Sequence, residues 1–393
     1  MSEQSISQTQ TRLTCIDETR ALAIISMIIM HFGPGVFERL PQLSFLADPI
    51  LFLGRFATTT FILVFGVTIG FAYYHRFEGQ GRKDITKNLL KRSRLLLLCS
   101  LIICVPLYVN LIIDRDWNTR HWLFSTYSIL NYYTLALLSV PVWLWAVRGR
   151  HFFARCLCLG AGHWALASLV LAIWPLDPGL GFSEYARMHL ASGPYGYLQL
   201  SGSAIMAIPV GYALRRAMKS PRGILPTLWK FIPGGLAIAL VGFGIGVWLN
   251  EFSVAAIIEG TVKTPPRAWY FLFFGGLAMG LLSLTGILGQ SLGKWNKALY
   301  PLSLFGQASL AIYTGHRFVL PSLGWLDASG LKIEGVIRIV LPFLLFAFFC
   351  AFMMFRQHRI AINKSEGKET MTLWHRIKRV FNRSLNNKML PSP

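Results

Sequence analysis

The stretch TCIDETRALAIISMIIMHFGPG, residues 14–35, decides how the chain is read. Asp17, Glu18 and Arg20 open an apolar run, His31 sits eleven residues beyond the arginine, and Gly33-Pro34-Gly35 is expected to break the run. Asp17 and Arg20 are three apart, so on a helix they share a face and can pair. Eleven residues are about three turns, or roughly 16 Å of helix, so Arg20 and His31 point nearly the same way from opposite ends of one span. An ionisable side chain at the depth of His31 is costly in a bilayer unless it meets a cavity or a partner, which makes it a functional candidate. A histidine hydrogen-bonded between helices for packing, and an arginine that merely anchors the span, remain the plainer alternatives.

The rest of the chain has the same character. Its 393 residues are 54% hydrophobic and only 14% charged, with a mean hydropathy of +0.49. Soluble domains carry nearer a quarter charged residues. Apolar stretches of membrane-spanning length recur, so an all-α, polytopic transmembrane bundle of about ten spans is expected. These run roughly over 19–36, 50–74, 93–113, 122–147, 152–174, 195–214, 230–250, 268–288, 302–321 and 334–355. The net charge is +21, from 38 Lys+Arg against 17 Asp+Glu. Nucleic acid is not the expected partner, because the basic residues concentrate in alternate loops, where the positive-inside rule places them. That bias puts both termini in the cytoplasm.

The N-terminus lacks a charged n-region and a cleavage site, so the first span is expected to stay as a signal anchor. Residues 1–355 read as one transmembrane domain and 356–393 as a basic cytoplasmic tail. Leu373, Trp374, Ile377, Val380, Phe381 and Leu385 of the tail have the spacing of an amphipathic helix for anionic lipids; a disordered basic tail fits equally. Two long outer loops are expected, 175–194 and 251–267. Glu184, Tyr185, Arg187 and His189 of the first read more readily as solvated than as sugar contacts, and Trp269 and Tyr270 as interface-belt aromatics. The six cysteines have no zinc-ligand spacing and read as reduced structural thiols.

The run I-D-x-x-R-A-L-A-I with a histidine at Arg20+11 resembles the start of the acyltransferase family 3 membrane proteins and their relatives. These include the glucan succinyltransferases and the heparan-glucosaminide acetyltransferases. Ala21 stands where that group usually has glycine. GRFATTTFILVFGVTIGFAY (54–73), LLKRSRLLLL (89–98), ILNYYTLALL (129–138) and FGQASLAIYTGH (305–316) are similar, in order, to later segments of the group. The resemblance covers about residues 12 to 320.

It implies an enzyme of the inner (cytoplasmic) membrane. An acetyl or other short acyl group, with succinyl as a close variant, would pass from cytoplasmic acyl-CoA to a hydroxyl of an extracytoplasmic carbohydrate. Transfer to an amino group is a further variant. Acyl-CoA is then the donor substrate, with no permanently bound cofactor and no metal. The partners are the glycan acceptor, membrane lipids and a periplasmic protein that hands the acceptor over, unless the acceptor is itself membrane-bound. The hydroxyl needs a base of near-neutral pKa, a role that falls to His31. Asp17 orients Arg20, which holds phosphates or lines the acyl channel. Arg92 and Arg94, with Lys91, sit at the depth of the coenzyme A phosphates, although a cytoplasmic loop end attracts cations in any case. His316 and Tyr133 are candidates for substrate contact, and Thr58-Thr59-Thr60, Tyr132 or Tyr133 for oxyanion donors. A multi-span transporter or lipid-linked sugar flippase with no acyl chemistry is the competing class, and a non-catalytic membrane scaffold a third.

Overall fold

The computed structural model describes residues 13–78, 81–175, 181–291, 296–328 and 335–365. Among these residues there are no strands, and nine helical stretches are long and apolar enough to cross a membrane. Eleven helices matter for the argument: α1 (Thr14–Arg39), α2 (Phe56–Thr68), α3 (Arg82–Ile113), α4 (Ile129–Val147), α5 (Phe152–Ile173), α6 (Tyr197–Met218), α7 (Leu225–Trp248), α8 (Ala268–Ser291), α9 (Asn296–Gln307), α10 (Ser309–Ala328) and α11 (Gly335–Ser365). In a bilayer every backbone group must be bonded within its own segment, so a chain this apolar has little choice but helix.

α1 is the central strut. It packs against α2, α8 and α9, with Ala21, Ala23 and Ile24 fully buried. It also corrects an expectation, because Gly33-Pro34-Gly35 does not end it and Pro34 lies inside the helix. Proline deletes one i to i−4 bond, here to the carbonyl of Met30, and the remaining ladder carries the helix on. Lipid gives helices no hydrophobic reason to associate, so close backbone approach has to do it. At Gly306 of α9, an added Cβ would fall 1.8 Å from the carbonyl oxygen of Asp17. At Gly211 of α6, it would fall 1.9 Å from that of Val67 in α2. These two contacts seat α9 on the first turn of α1 and α6 on α2.

The expected span at 302–321 is two helices, α9 and α10, which meet at Ala308. The expected outer loop at 175–194 is helical over Gly181–Arg187 and continues as a π-helical turn, Met188–Ser192. α11 runs past residue 355 to Ser365. The tail motif at Leu373–Leu385 lies outside the described residues. α3, α5 and α7 expose large apolar side chains such as Leu97, Leu98, Leu101, Leu166, Leu240 and Val241, the surface a helix presents to acyl chains. Trp269 and Tyr270 are 1% exposed, so they are core residues rather than belt aromatics. Their polar atoms are bonded inside: Trp269 Nε1 donates to Glu251 Oε2 at 2.7 Å and Tyr270 Oη to the Arg55 carbonyl at 2.8 Å.

Candidate functional site

Two cavities follow one another along α1. The larger, about 450 Å³, is lined by residues of α1, α2, α3, α4, α9 and α10. That is within the range of ligand pockets, roughly 300–1,000 Å³. Its walls are mostly apolar, including Phe61, Phe65, Leu96 and Leu137, with Arg20, Arg92 and Tyr133 as polar members. The smaller, about 50 Å³, is lined by His31, Ser125, Tyr127, Tyr195 and Arg317 among others. Tyr313 lines both. It packs with Ile103, Cys104 and Leu130, and this cluster is the partition between them.

At the end of the large cavity, Arg20 makes the expected pair, Nη1 to Asp17 Oδ1 at 3.1 Å. Asp17 is buried and Arg20 half-buried, so the carboxylate is held inside and aims the guanidinium at the cavity. Arg92 donates from Nη1 to Tyr73 Oη at 2.5 Å and lies over the Tyr73 ring. Of the three cations proposed from the Lys91–Arg94 cluster, only Arg92 lines the cavity. Lys91 and Arg94 are exposed on other faces of α3, because consecutive helical positions are turned about 100° apart.

His31 and His316 lie at the other end. Their ring centroids are 5.0 Å apart with planes inclined by 41°. His31 is exposed through the small cavity, whereas His316 behind it is 0% exposed. His316 Nδ1 is 2.5 Å from the Tyr313 carbonyl oxygen, which can only accept, so the proton sits on Nδ1. Nε2 is then an unprotonated acceptor, and it has no partner among the described residues. A buried polar atom without a partner is costly and is a common mark of a functional site. The pair therefore consists of one imidazole reachable from outside and a second, of fixed tautomer, buried behind it.

The other residues singled out from the sequence are placed as follows. Thr59 and Thr60 both donate their hydroxyls to the Phe56 carbonyl, at 3.1 and 2.8 Å. The Thr58-Thr59-Thr60 run lines neither cavity, and Tyr132 is buried in the core away from both. The two residues expected to contact substrate lie apart, Tyr133 lining the large cavity and His316 packing against His31 at the small one. The 184–189 segment is not a solvated loop. Arg187 is buried with Nε donating to the Trp174 carbonyl at 2.6 Å, and His189 packs between Tyr127 and Tyr185.

Sequence reasoning did not single out Tyr313, Tyr195, Arg55, Lys263 or Arg317. Tyr313 and Arg317 had a signal, since both lie within one turn of His316 on α10. Arg55 and Lys263 had none, because loop conformation alone brings them to this end.

The bundle and its apolar helices define a multi-pass membrane protein. Residues 12–184 match the family model described as heparan-alpha-glucosaminide N-acetyltransferase, catalytic. The matched segment holds Asp17, Arg20, His31, Arg92 and Tyr133, and it stops short of α10 with His316. The match supports a membrane acetyltransferase-like family, on the heparan-glucosaminide side of the resemblance and not acyltransferase family 3 specifically. No curated protein matches the chain.

Proposed function

We propose that the protein is an acyl-CoA-dependent membrane acyltransferase that moves an acetyl or similarly short acyl group to an amino or hydroxyl group of an extracytoplasmic sugar. The observation that carries this reading is the His31–His316 pair, its inner Nε2 unpartnered, separated by the cluster around Tyr313 from a large cavity that has two arginines among its lining residues. The family model's printed substrate, a glucosaminide, makes the amino group the first acceptor to try.

In this reading coenzyme A enters at the Arg20 and Arg92 end, taken as cytoplasmic from the positive-inside bias. Its phosphates meet arginine, which suits them through bidentate bonding. The thioester reaches past Tyr313 toward His31. The acceptor approaches His31 from the opposite side, where that ring is exposed. His31 takes the proton from the attacking nitrogen or oxygen, the C–S bond breaks, and the proton leaves with the coenzyme A thiol. His316 orients His31 and steadies the imidazolium through its free Nε2. Asp17 positions Arg20.

The test uses purified protein in detergent, with labelled acetyl- and succinyl-CoA offered with a panel of amino and neutral sugars. Wild type should label a sugar or hydrolyse the thioester. His31→Ala should lose this while still binding coenzyme A. Equal behaviour of the two proteins, or no binding of coenzyme A by either, refutes the reading and favours a transporter.

A further inference from the structure

Three cations gather at the His31 end without a carboxylate partner among the described residues. Arg317 lines the small cavity beside His31 and Tyr195. Arg55, at the start of α2, donates from Nε to the Ile258 carbonyl at 2.9 Å and from Nη2 to the same oxygen. Its Nη1 has no acceptor among the described residues. Lys263 holds its Nζ 4.7 Å from the centre of the Tyr195 ring. All three lie within electrostatic reach of His31.

Two acids of the neighbouring loops are engaged elsewhere. Glu251 pairs with Arg267 at 3.4 Å and accepts from Trp269, and Asp116 pairs with His121. Arg55 is also held in place. Gly260 adopts φ +87°, a left-handed conformation that glycine takes without strain. A Cβ there would sit 2.7 Å from Arg55 Nη1, so the turn leaves room for the guanidinium. Burial pulls the Lys263 ammonium below its ordinary pKa. Cations gathered near one cavity without a carboxylate partner repel one another, an arrangement that makes sense when an anion completes it.

Building on the acyltransferase reading, we infer that Arg55, Lys263 and Arg317 form a seat for an oxyanion group of the substrate, a carboxylate, sulfate or phosphate lying next to the reacting centre at His31. The anion has two sources. It is either an acidic substituent on the acceptor sugar or the far carboxylate of a dicarboxylic acyl group such as succinyl. Coenzyme A phosphates are not the source, because they belong with Arg20 and Arg92 at the other end of α1, about 16 Å away.

Turnover and binding are measured with full-length protein in detergent. The substrates are acetyl-CoA with glucosamine, acetyl-CoA with glucosamine 6-sulfate, and succinyl-CoA with glucosamine. Wild type, Arg317→Gln and Lys263→Gln are compared. Wild type should favour one anionic combination over the neutral one by about tenfold or more in kcat/KM, the scale of a charge-assisted bond, and each variant should erase most of that ratio. Preference for the sulfated sugar assigns the anion to the acceptor, and preference for succinyl-CoA assigns it to the acyl group. A ratio near one in wild type, or variants that slow neutral and anionic substrates alike, overturns the seat and gives the cations to the transition-state oxyanion instead. Calorimetric titration with glucosamine, glucosamine 6-sulfate, acetyl-CoA and succinyl-CoA reads the seat without turnover. If no substrate turns over, the acyltransferase reading fails, while anion-selective binding that Arg317→Gln abolishes keeps the seat. Absence of such selectivity in both measurements removes it.

Discussion

If His31 and His316 act as a unit, removing either should cost nearly as much as removing both. The rings are 5.0 Å apart, and His316 touches the reaction only through His31. The variants follow from the geometry. His316→Asn keeps a donor where Nδ1–H meets the Tyr313 carbonyl at 2.5 Å and deletes Nε2, so it separates the chemistry from the helix contact. His31→Gln removes the base and keeps a polar side chain. A positioned general base contributes about 10²–10⁴ in rate, or about 2.7–5.5 kcal/mol.

Each single variant should therefore lose about 10²–10⁴ in single-turnover acyl transfer, and the double variant should lose no more than the larger single loss. Independent residues would instead multiply to about 10⁴–10⁸. The assay is quench-flow transfer of labelled acetyl from acetyl-CoA with saturating acceptor, alongside detergent melting temperatures to confirm that His316→Asn is folded. A multiplicative double variant, or a folded His316→Asn with wild-type rate, refutes the idea that the buried imidazole serves the exposed one.

Arg92→Gln, which loses the 2.5 Å bond to Tyr73 and the cation at the cavity, should raise the acetyl-CoA KM about tenfold with kcat largely kept, whereas Lys91→Gln and Arg94→Gln, exposed on other faces of α3, should leave KM unchanged. Equal effects of all three would mean that the end of the helix acts as a diffuse field. Gly306→Ala places a Cβ 1.8 Å from the Asp17 carbonyl oxygen, a backbone atom that cannot swing aside, so it should destabilise the bundle by about 1–3 kcal/mol and lower its detergent melting temperature. An unchanged melting temperature would show that α9 does not rest on α1 this closely. Tyr313→Ala removes the partition shared by both cavities and should raise acceptor-independent thioester hydrolysis relative to transfer, read as free coenzyme A released without acceptor. A variant that hydrolyses no faster than wild type would show that Tyr313 is not the barrier.

The helical class and the first span were legible because apolar length and the 3.6-residue period are properties of the chain itself. The Asp17–Arg20 pair and the shared face of Arg20 and His31 follow from that period alone. What the period cannot tell is which apolar face meets lipid and which meets protein, since both are equally apolar. Trp269 and Tyr270 were misread for that reason. Arg92 and Arg94, with Lys91, cannot be told apart from the sequence because a cluster of cations does not say which one lines a cavity. The break at Ala308 falls between Gln307 and Ser309, single polar residues that helices often carry, and it comes just after Gly306 brings α9 against α1, a contact between residues nearly 300 apart in sequence. Arg55 and Lys263 meet at His31 only through the turn at Gly260, beyond the reach of any local pattern.

The distribution of charge along α1 bears on the topological problem that donor and acceptor present. At the large-cavity end the cations are supported, Arg20 by Asp17 and Arg92 by Tyr73, and such supported cations can wait for a ligand that comes and goes. At the histidine end Arg55, Lys263 and Arg317 have no carboxylate among the described residues, and in the proposed reaction an anionic group of the substrate balances their charge. Between them stands the cluster around Tyr313. In the proposed reaction neither substrate then needs to cross the membrane. The donor fills the large cavity from one side, the acceptor meets His31 from the other, and only the acyl thioester end of the donor passes Tyr313. A transporter needs the opposite arrangement, a pathway wide enough for its whole cargo. The division of space here, about 450 Å³ on one side and about 50 Å³ on the other, suits passage of a small group better than passage of a sugar.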